Sequence, residues 1–242
     1  MKNFCYFIIL VVSAVSCISS GNNEEKTSDN EKEWIYVFDG KTLDDWEYDP
    51  VYWRVEDGCM VGEITPSTIV TRNTFIYKKD LLLKDFELKV EFRVSAEGNS
   101  GVSYRNELID TLSYALKGYQ ADIDGRNRYT GQNYEERGRQ FLALRGQTTV
   151  ITPEYVSPTS ALIRAADIST DFLGKFIKND DWNQYYIVVK GNRMLHYVNG
   201  ILMSDVTDND PVNRRMSGIL GVQVHVGPPM KIEYRNFKFR PL

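Results

Sequence analysis

Residues 86–94 read Phe86-Glu87-Leu88-Lys89-Val90-Glu91-Phe92-Arg93-Val94, an unbroken alternation of apolar and charged side chains. A period of two puts successive side chains on opposite faces of an extended chain. The segment therefore predicts a strand with Phe86, Leu88, Val90 and Phe92 in a core and Glu87, Lys89, Glu91 and Arg93 facing out. The same pattern spreads outward from it. Tyr185–Lys190 and Met194–Val198 flank Gly191-Asn192, and Met194–Val198 and Ile201–Val206 flank Asn199-Gly200. An Asn-Gly pair between apolar runs signals a hairpin, because both turn residues take positive φ. Gly218–Val226 is β-branched and glycine-punctuated. In Ile232–Arg240 the apolar positions change parity between Tyr234 and Phe237, which predicts a bulge near Arg235-Asn236. Gly98-Asn99-Ser100-Gly101 reads as a turn, and Tyr114–Leu116 and Ser169–Phe176 as short helical turns. Many short strands, hairpins and no βαβ alternation predict an all-β antiparallel sandwich.

Composition narrows the function. The chain has 242 residues, 42% hydrophobic and 26% charged, which is a globular balance. With 29 Lys+Arg against 33 Asp+Glu the net charge is −4, so no basic footprint for nucleic acid exists. Two His and three Cys cannot build a His-rich metal site, a Cys-based zinc site or a disulfide framework.

The first segment reads as an address. Lys2 precedes a mostly apolar run from Phe4 to Val15, about 18 Å as a helix and too short for a bilayer core of about 30 Å. Residues 1–16 therefore read as a signal peptide. Ala14-Val15-Ser16-Cys17 resembles a bacterial lipobox, which makes Cys17 the expected lipidation site and new N-terminus. Residues 17–33 then form a polar tether, with five acids and two lysines after Cys17 and one large apolar residue. The tether holds most of the net charge, so the acidity says little about the substrate. Residues 34–242 read as one folded domain. The expected location is the bacterial cell envelope, periplasmic or on the outer-membrane surface, with lipid the only membrane contact.

Parity also nominates a ligand face. In Tyr119-Gln120-Ala121-Asp122-Ile123, Gln120 and Asp122 oppose the apolar set, and in Val222-Gln223-Val224-His225-Val226, Gln223 and His225 oppose the valines. His196 shares parity with Met194 and Val198 and reads as a packed structural histidine.

Five ordered motifs carry a family resemblance. Val37-Phe38-Asp39-Gly40-Lys41-Thr42-Leu43-Asp44-Asp45-Trp46, Trp53–Gly58, Asp85–Arg105, Trp182–Val206, and Gly221–His225 with Tyr234–Phe237 resemble the successive motifs of the 3-keto-disaccharide hydrolase domain family. The resemblance implies a concanavalin/LamG-like jelly roll. It implies activity on glycosides already oxidised at the sugar C3, cleaved by elimination or hydrolysis. Secreted lipoproteins are common in the family, in agreement with the lipobox. One departure stands out: the common Tyr-Glu-x-Gln-Ile is Tyr119-Gln120-Ala121-Asp122-Ile123 here, with amide and carboxylate exchanged. With Tyr134-Glu135-Glu136-Arg137-Gly138-Arg139 this resembles a distinct subgroup.

A C3 ketone acidifies the hydrogen on C2, so the implied chemistry needs a base, a group to meet the enolate oxygen, and an acid for the leaving group. Asp122 and His225 are the candidate bases. Glu136 is a candidate acid, or a structural partner of Arg137 or Arg139. Glu91, Tyr104, Arg105, Gln120, Arg137 and Gln223 are the candidate substrate-binding residues. No cofactor is expected; Asp122-Ile123-Asp124 offers oxygen donors to a cation such as Ca²⁺ but lacks an EF-hand loop. The expected partner is a carbohydrate or glycoside, with no nucleic acid. Two other readings stay open: a non-catalytic carbohydrate-binding jelly roll, and a conventional glycoside hydrolase, which needs two facing carboxylates.

Overall fold

The computed structural model describes residues 33–157, 161–163 and 168–242. The signal segment, Cys17 and nearly all of the tether lie outside the described residues. Within these bounds the chain forms β1 (Ile35–Tyr36), β2 (Trp53–Glu56), β3 (Cys59–Ile64), β4 (Thr74–Leu83), β5 (Phe86–Val94), β6 (Asn99–Leu108), β7 (Leu116–Asp124) and β8 (Asn133–Glu136). There follow β9 (Gln140–Ala143), β10 (Thr148–Ile151), β11 (Leu162–Ile163), α1 (Thr170–Gly174), β12 (Asn183–Lys190), β13 (Arg193–Val198), β14 (Ile201–Asp208), β15 (Gly218–Val224) and β16 (Met230–Pro241).

Two sheets face each other. The larger runs β11-β10-β14-β13-β12-β5-β16-β3-β2, with β1 also on β16, and the smaller runs β4-β15-β6-β7-β8-β9. Pairing is antiparallel except between β10 and β14. The β5 alternation appears in full: Phe86, Leu88, Val90, Phe92 and Val94 are buried and the charged set is not. The Asn199-Gly200 turn has φ of 51° and 81°, the conformation that an Asn-Gly hairpin requires. The predicted bulge lies between Arg235 and Lys238, with Asn236 at φ 51°. It lets Ile232, Tyr234, Phe237 and Phe239 all reach the core despite their change of parity.

Two local readings differ. Asn99, Ser100 and Gly101 open β6 instead of forming a turn, because they pair with Asp124, Ile123 and Asp122 of β7. Leu116 begins β7, while the helical turn near 169–176 is α1.

Core tyrosines tie the larger sheet to the backbone of the smaller one. Tyr185 donates to the Asp122 carbonyl at 2.5 Å and accepts from the Gly131 N–H at 2.7 Å. Tyr234 bonds Ser100 Oγ at 2.7 Å, and Ser100 donates to the Gln223 carbonyl. The strands bearing Asp122 and Gln223 are thus pinned from beneath.

Candidate functional site

The outer face of the smaller sheet carries the polar residues that parity nominated. Gln120 and Asp122 lie on β7, Gln223 on β15, Ser103 on β6 and Glu136 at the end of β8, and all five are buried. Gln120 Oε1 accepts from Ser103 Oγ at 2.9 Å, which turns its Nε2 toward Asp122 Oδ1 at 3.0 Å and Gln223 Oε1 at 3.3 Å. Gln223 Nε2 donates to Glu136 Oε2 at 3.3 Å, and Asn73 Nδ2 donates to both Glu136 oxygens at 3.2 and 3.3 Å. Two carboxylates are therefore joined through two amides. Asp122 Oδ1 is held by Gln120, leaving Oδ2 for the cleft.

The cleft above this floor has a volume of about 260 Å³. Tyr129, Tyr134 and Phe141 wall it, and Asn99 and His225 line its rim. The aromatic rings brace one another: Tyr134 and Phe141 meet edge-on at 5.0 Å, and Tyr129 lies 6.0 Å from Phe141. Such faces stack on apolar faces of a sugar ring. His225 Nδ1 lies 2.7 Å from the Val226 carbonyl. Because a carbonyl only accepts, Nδ1 carries the proton and Nε2 is the free nitrogen. The Val226 N–H donates to Asn73 Oδ1 at 3.0 Å, so one amide fixes both Glu136 and the His225 rim.

Burial pushes the Asp122 carboxyl up to about 8, against the Gln120 amide, with the Glu136 and Asp124 charges adding to the rise. The Tyr134 hydroxyl is pushed up to about 12 by burial and by the Glu136 and Asp122 charges, and stays a proton donor.

Glycine shapes the floor. A Cβ on Gly101 would stand 2.5 Å from Gln120 Cγ and Cδ. Gly101→Ala is expected to displace the Gln120 amide, raise the Asp122 titration by about one further unit, and cost about 1–3 kcal/mol of stability through overpacking. Carboxyl NMR titration and denaturant unfolding measure both. An unchanged Asp122 titration would show that Gln120 does not hold this carboxylate.

Other nominated residues lie elsewhere. Glu91 is on the outer face of the opposite sheet, its Oε2 2.7 Å from Arg235 Nε in a cross-strand pair. Tyr104 is fully buried between the sheets, its hydroxyl 2.7 Å from His196 Nε2. His196 Nδ1 faces the Gln132 carbonyl at 3.2 Å, and burial holds its pKa down at about 4, so it is a neutral core histidine. Arg105 is also buried and donates to the carbonyls of Lys84, Gly191 and Arg215 and to Asp85. Glu91, Tyr104 and Arg105 are thus corrected from substrate-binding to structural positions. Asp124 caps its own loop, accepting from the Arg128 N–H at 2.7 Å. Among the described residues no group of three or more His, Cys, Asp or Glu is arranged to hold a metal ion. Arg137 stands beside the cleft, its Nε 3.7 Å from Glu136 Oε1. Tyr129, Tyr134, Phe141, Asn73 and Asn99 escaped the sequence reading. Tyr134 was visible as the residue two before Glu136 on a strand, but nothing local marked the rest.

Comparisons with known proteins agree with this architecture. Residues 33–240 match the model of the 3-keto-alpha-glucoside-1,2-lyase-like domain. A curated protein of Bacteroides thetaiotaomicron, named 3-keto-disaccharide hydrolase, is 26% identical across 46% of this chain and 44% of its own length. The chain thus spans less than half of that relative. A crystal structure of a candidate glycosyl hydrolase from Parabacteroides distasonis superposes with a TM-score of 0.57 at 16% identity, covering 88% of this chain and 95% of that one. The carbohydrate-binding module CBM66 of Bacillus subtilis superposes at 0.51 and 14% identity, covering 81% and 95%. At these identities the two structures support the jelly-roll fold alone.

Proposed function

The chain belongs to the 3-keto-alpha-glucoside-1,2-lyase-like domain family, and from that membership we propose that it cleaves 3-keto-glycosides by removing the C2 proton and expelling the C1 substituent. The observation that carries this reading is Asp122, a buried carboxyl at the floor of an aromatic-walled cleft with its affinity for protons raised. A desolvated carboxylate is a stronger base than one in water, as proton abstraction next to a ketone requires.

The C2–H bond breaks toward Asp122 Oδ2, and its electron pair moves into the C2–C3 enolate. Tyr134 O–H is the donor assigned to the enolate oxygen. The enolate then re-forms the ketone, making the C1–C2 double bond as the C1–O bond breaks. The departing C1 oxygen takes up the proton that Asp122 removed from C2, and His225 Nε2, the free nitrogen at the rim, accepts from a sugar hydroxyl. Glu136 keeps the Asp122 proton affinity high and accepts from sugar hydroxyls. Addition of water across the double bond completes a net hydrolysis.

A binding-only role on the same fold accounts for the aromatic wall but leaves Asp122 unexplained, since burying an ionisable carboxyl costs stability and perturbed carboxyls cluster where chemistry occurs. The test is incubation with an aryl 3-keto-glucoside and the matching unoxidised glucoside. Release of the phenol from the keto form alone is expected, slowed by deuterium at C2. Release from both, or from neither, would overturn the proposal.

A further inference from the structure

We propose that the groove beside the cleft is a subsite for a carboxylate on the leaving group, so that the preferred substrate is a glycoside with an anionic aglycone. This rests on the glycoside-cleavage reading above. The cleft, about 260 Å³, is smaller than the roughly 300–1,000 Å³ that encloses a drug-sized ligand, so a substrate larger than one sugar ring extends beyond it. A second depression of about 330 Å³ is lined by Lys117, Arg137, Arg214 and Arg215. Arg137, which lines this depression, brings its Nε within 3.7 Å of the Oε1 of Glu136, which lines the cleft.

The charges in this groove are unevenly spent. Arg139, at its back, is saturated by Glu135, Asp208 and Asp210. Glu107 is neutralised by Arg215 at 2.9 Å, with Lys117 at 3.7 Å. Arg137 keeps only a long ion pair of 3.7 Å with Glu136, and among the described residues Arg214 pairs with no carboxylate. Among the described residues neither guanidinium makes a hydrogen bond, and the carboxylate oxygen nearest Arg137 is 3.7 Å from its Nε, outside hydrogen-bond range. Arg215 Nε is buried with no hydrogen-bond partner and lies 3.9 Å from Glu135 Oε1. Arg137 is also held at φ 54°, a left-handed conformation that costs a non-glycine residue energy. Guanidinium forks free of hydrogen bonds, one of them beside the Glu136 wall of a sugar-sized cleft, fit a planar carboxylate, which accepts two parallel N–H bonds.

The test uses the full chain and two probes of nearly equal shape, 4-hydroxybenzoate and neutral 4-hydroxybenzamide. By titration calorimetry the benzoate is expected to bind about tenfold more tightly. The preference should shrink in high salt and collapse in Arg137→Gln and in Arg214→Gln. Arg214 is exposed, so its replacement leaves the fold intact. Equal binding of the two probes, or a preference that survives both substitutions, overturns the subsite. A second arm compares kcat/KM for the 3-keto-glucosides of the same two phenols, with the benzoate expected to be favoured. Binding preference without turnover of either glycoside supports the anion site and overturns the cleavage reading. Turnover of both with no preference in either arm overturns the subsite alone.

Discussion

Asp122→Asn is expected to lower kcat/KM on a 3-keto-glycoside by about 10³-fold or more while making the protein more stable. The two effects share one cause. In the folded chain the carboxyl titrates at about 8, against 3.8 for an exposed aspartate. A carboxyl whose folded pKa is raised contributes stability that is fully present below pH 3.8 and lost as pH rises through about 8. At pH 7 most of that loss has occurred, to an upper bound of about 4 kcal/mol. The amide has no charge to bury and its oxygen still accepts from Gln120. The variant should therefore unfold several degrees higher than the native chain at pH 7, with the gap closing toward pH 4. In the native chain the proposed cleavage should show a kcat/KM that rises with pH and levels off above about 8, as Asp122 loses its proton. Thermal unfolding across pH and a pH–rate profile check both halves. A variant that stays active, or that is less stable than the native chain at pH 7, would remove Asp122 from the proposed role.

The largest loss of stability is expected at Arg139→Met. Arg139 reaches Glu135 Oε2 through Nε at 2.6 Å, Asp208 through both terminal nitrogens at 3.0 and 2.6 Å, and Asp210 at 3.3 Å. Asp208 also accepts from the Tyr119 hydroxyl at 2.6 Å, and that hydroxyl accepts from the Arg215 N–H at 3.0 Å. All three acids are buried, and among the described residues Arg139 is the cation that hydrogen-bonds them, with Arg215 Nε farther off at 3.9 Å from Glu135 Oε1. Burial alone would lower the Arg139 pKa, but the bonds to Asp208 and Glu135 override it and hold the pKa above the ordinary arginine value. Removing the cation leaves three buried carboxylates side by side, and breaking a buried pair in this way costs about 3–5 kcal/mol. In the variant those carboxylates should hold protons at higher pH than they do when unfolded. Its deficit relative to the native chain should therefore be greatest at neutral pH and narrow as the pH falls. Urea unfolding at neutral and mildly acidic pH measures this, and an equal midpoint at pH 7 would show that the clasp carries no stability.

The Arg139 clasp marks a boundary in what the sequence reveals. The charged run 135–139 allowed several pairings, Glu136 with Arg137 or with Arg139 among them. In the fold Glu135 takes Arg139, because Asp208 and Asp210 at the end of β14 come to lie beside the β8–β9 hairpin. Arg105 shows the same limit. A polar residue in a strand motif reads as a ligand contact, yet its guanidinium collects carbonyls from three distant segments.

Local alternation was enough to establish the strands, the Asn199-Gly200 hairpin, the β16 bulge and the face of its own strand on which each side chain lies. It placed Gln120 and Asp122 opposite Tyr119, and Gln223 opposite its valines, and it kept His196 inside. Those are properties of single strands, set by the pleat. Strand order and register decided the rest: that β15, β6 and β7 are neighbours and β5 lies in the other sheet, so that Glu91 faces away from Asp122. They also brought Tyr129, Tyr134 and Phe141 over one floor and set Arg137 beside it, 3.7 Å from Glu136. A period of two records which side of a strand faces out, and carries no record of which strand lies alongside.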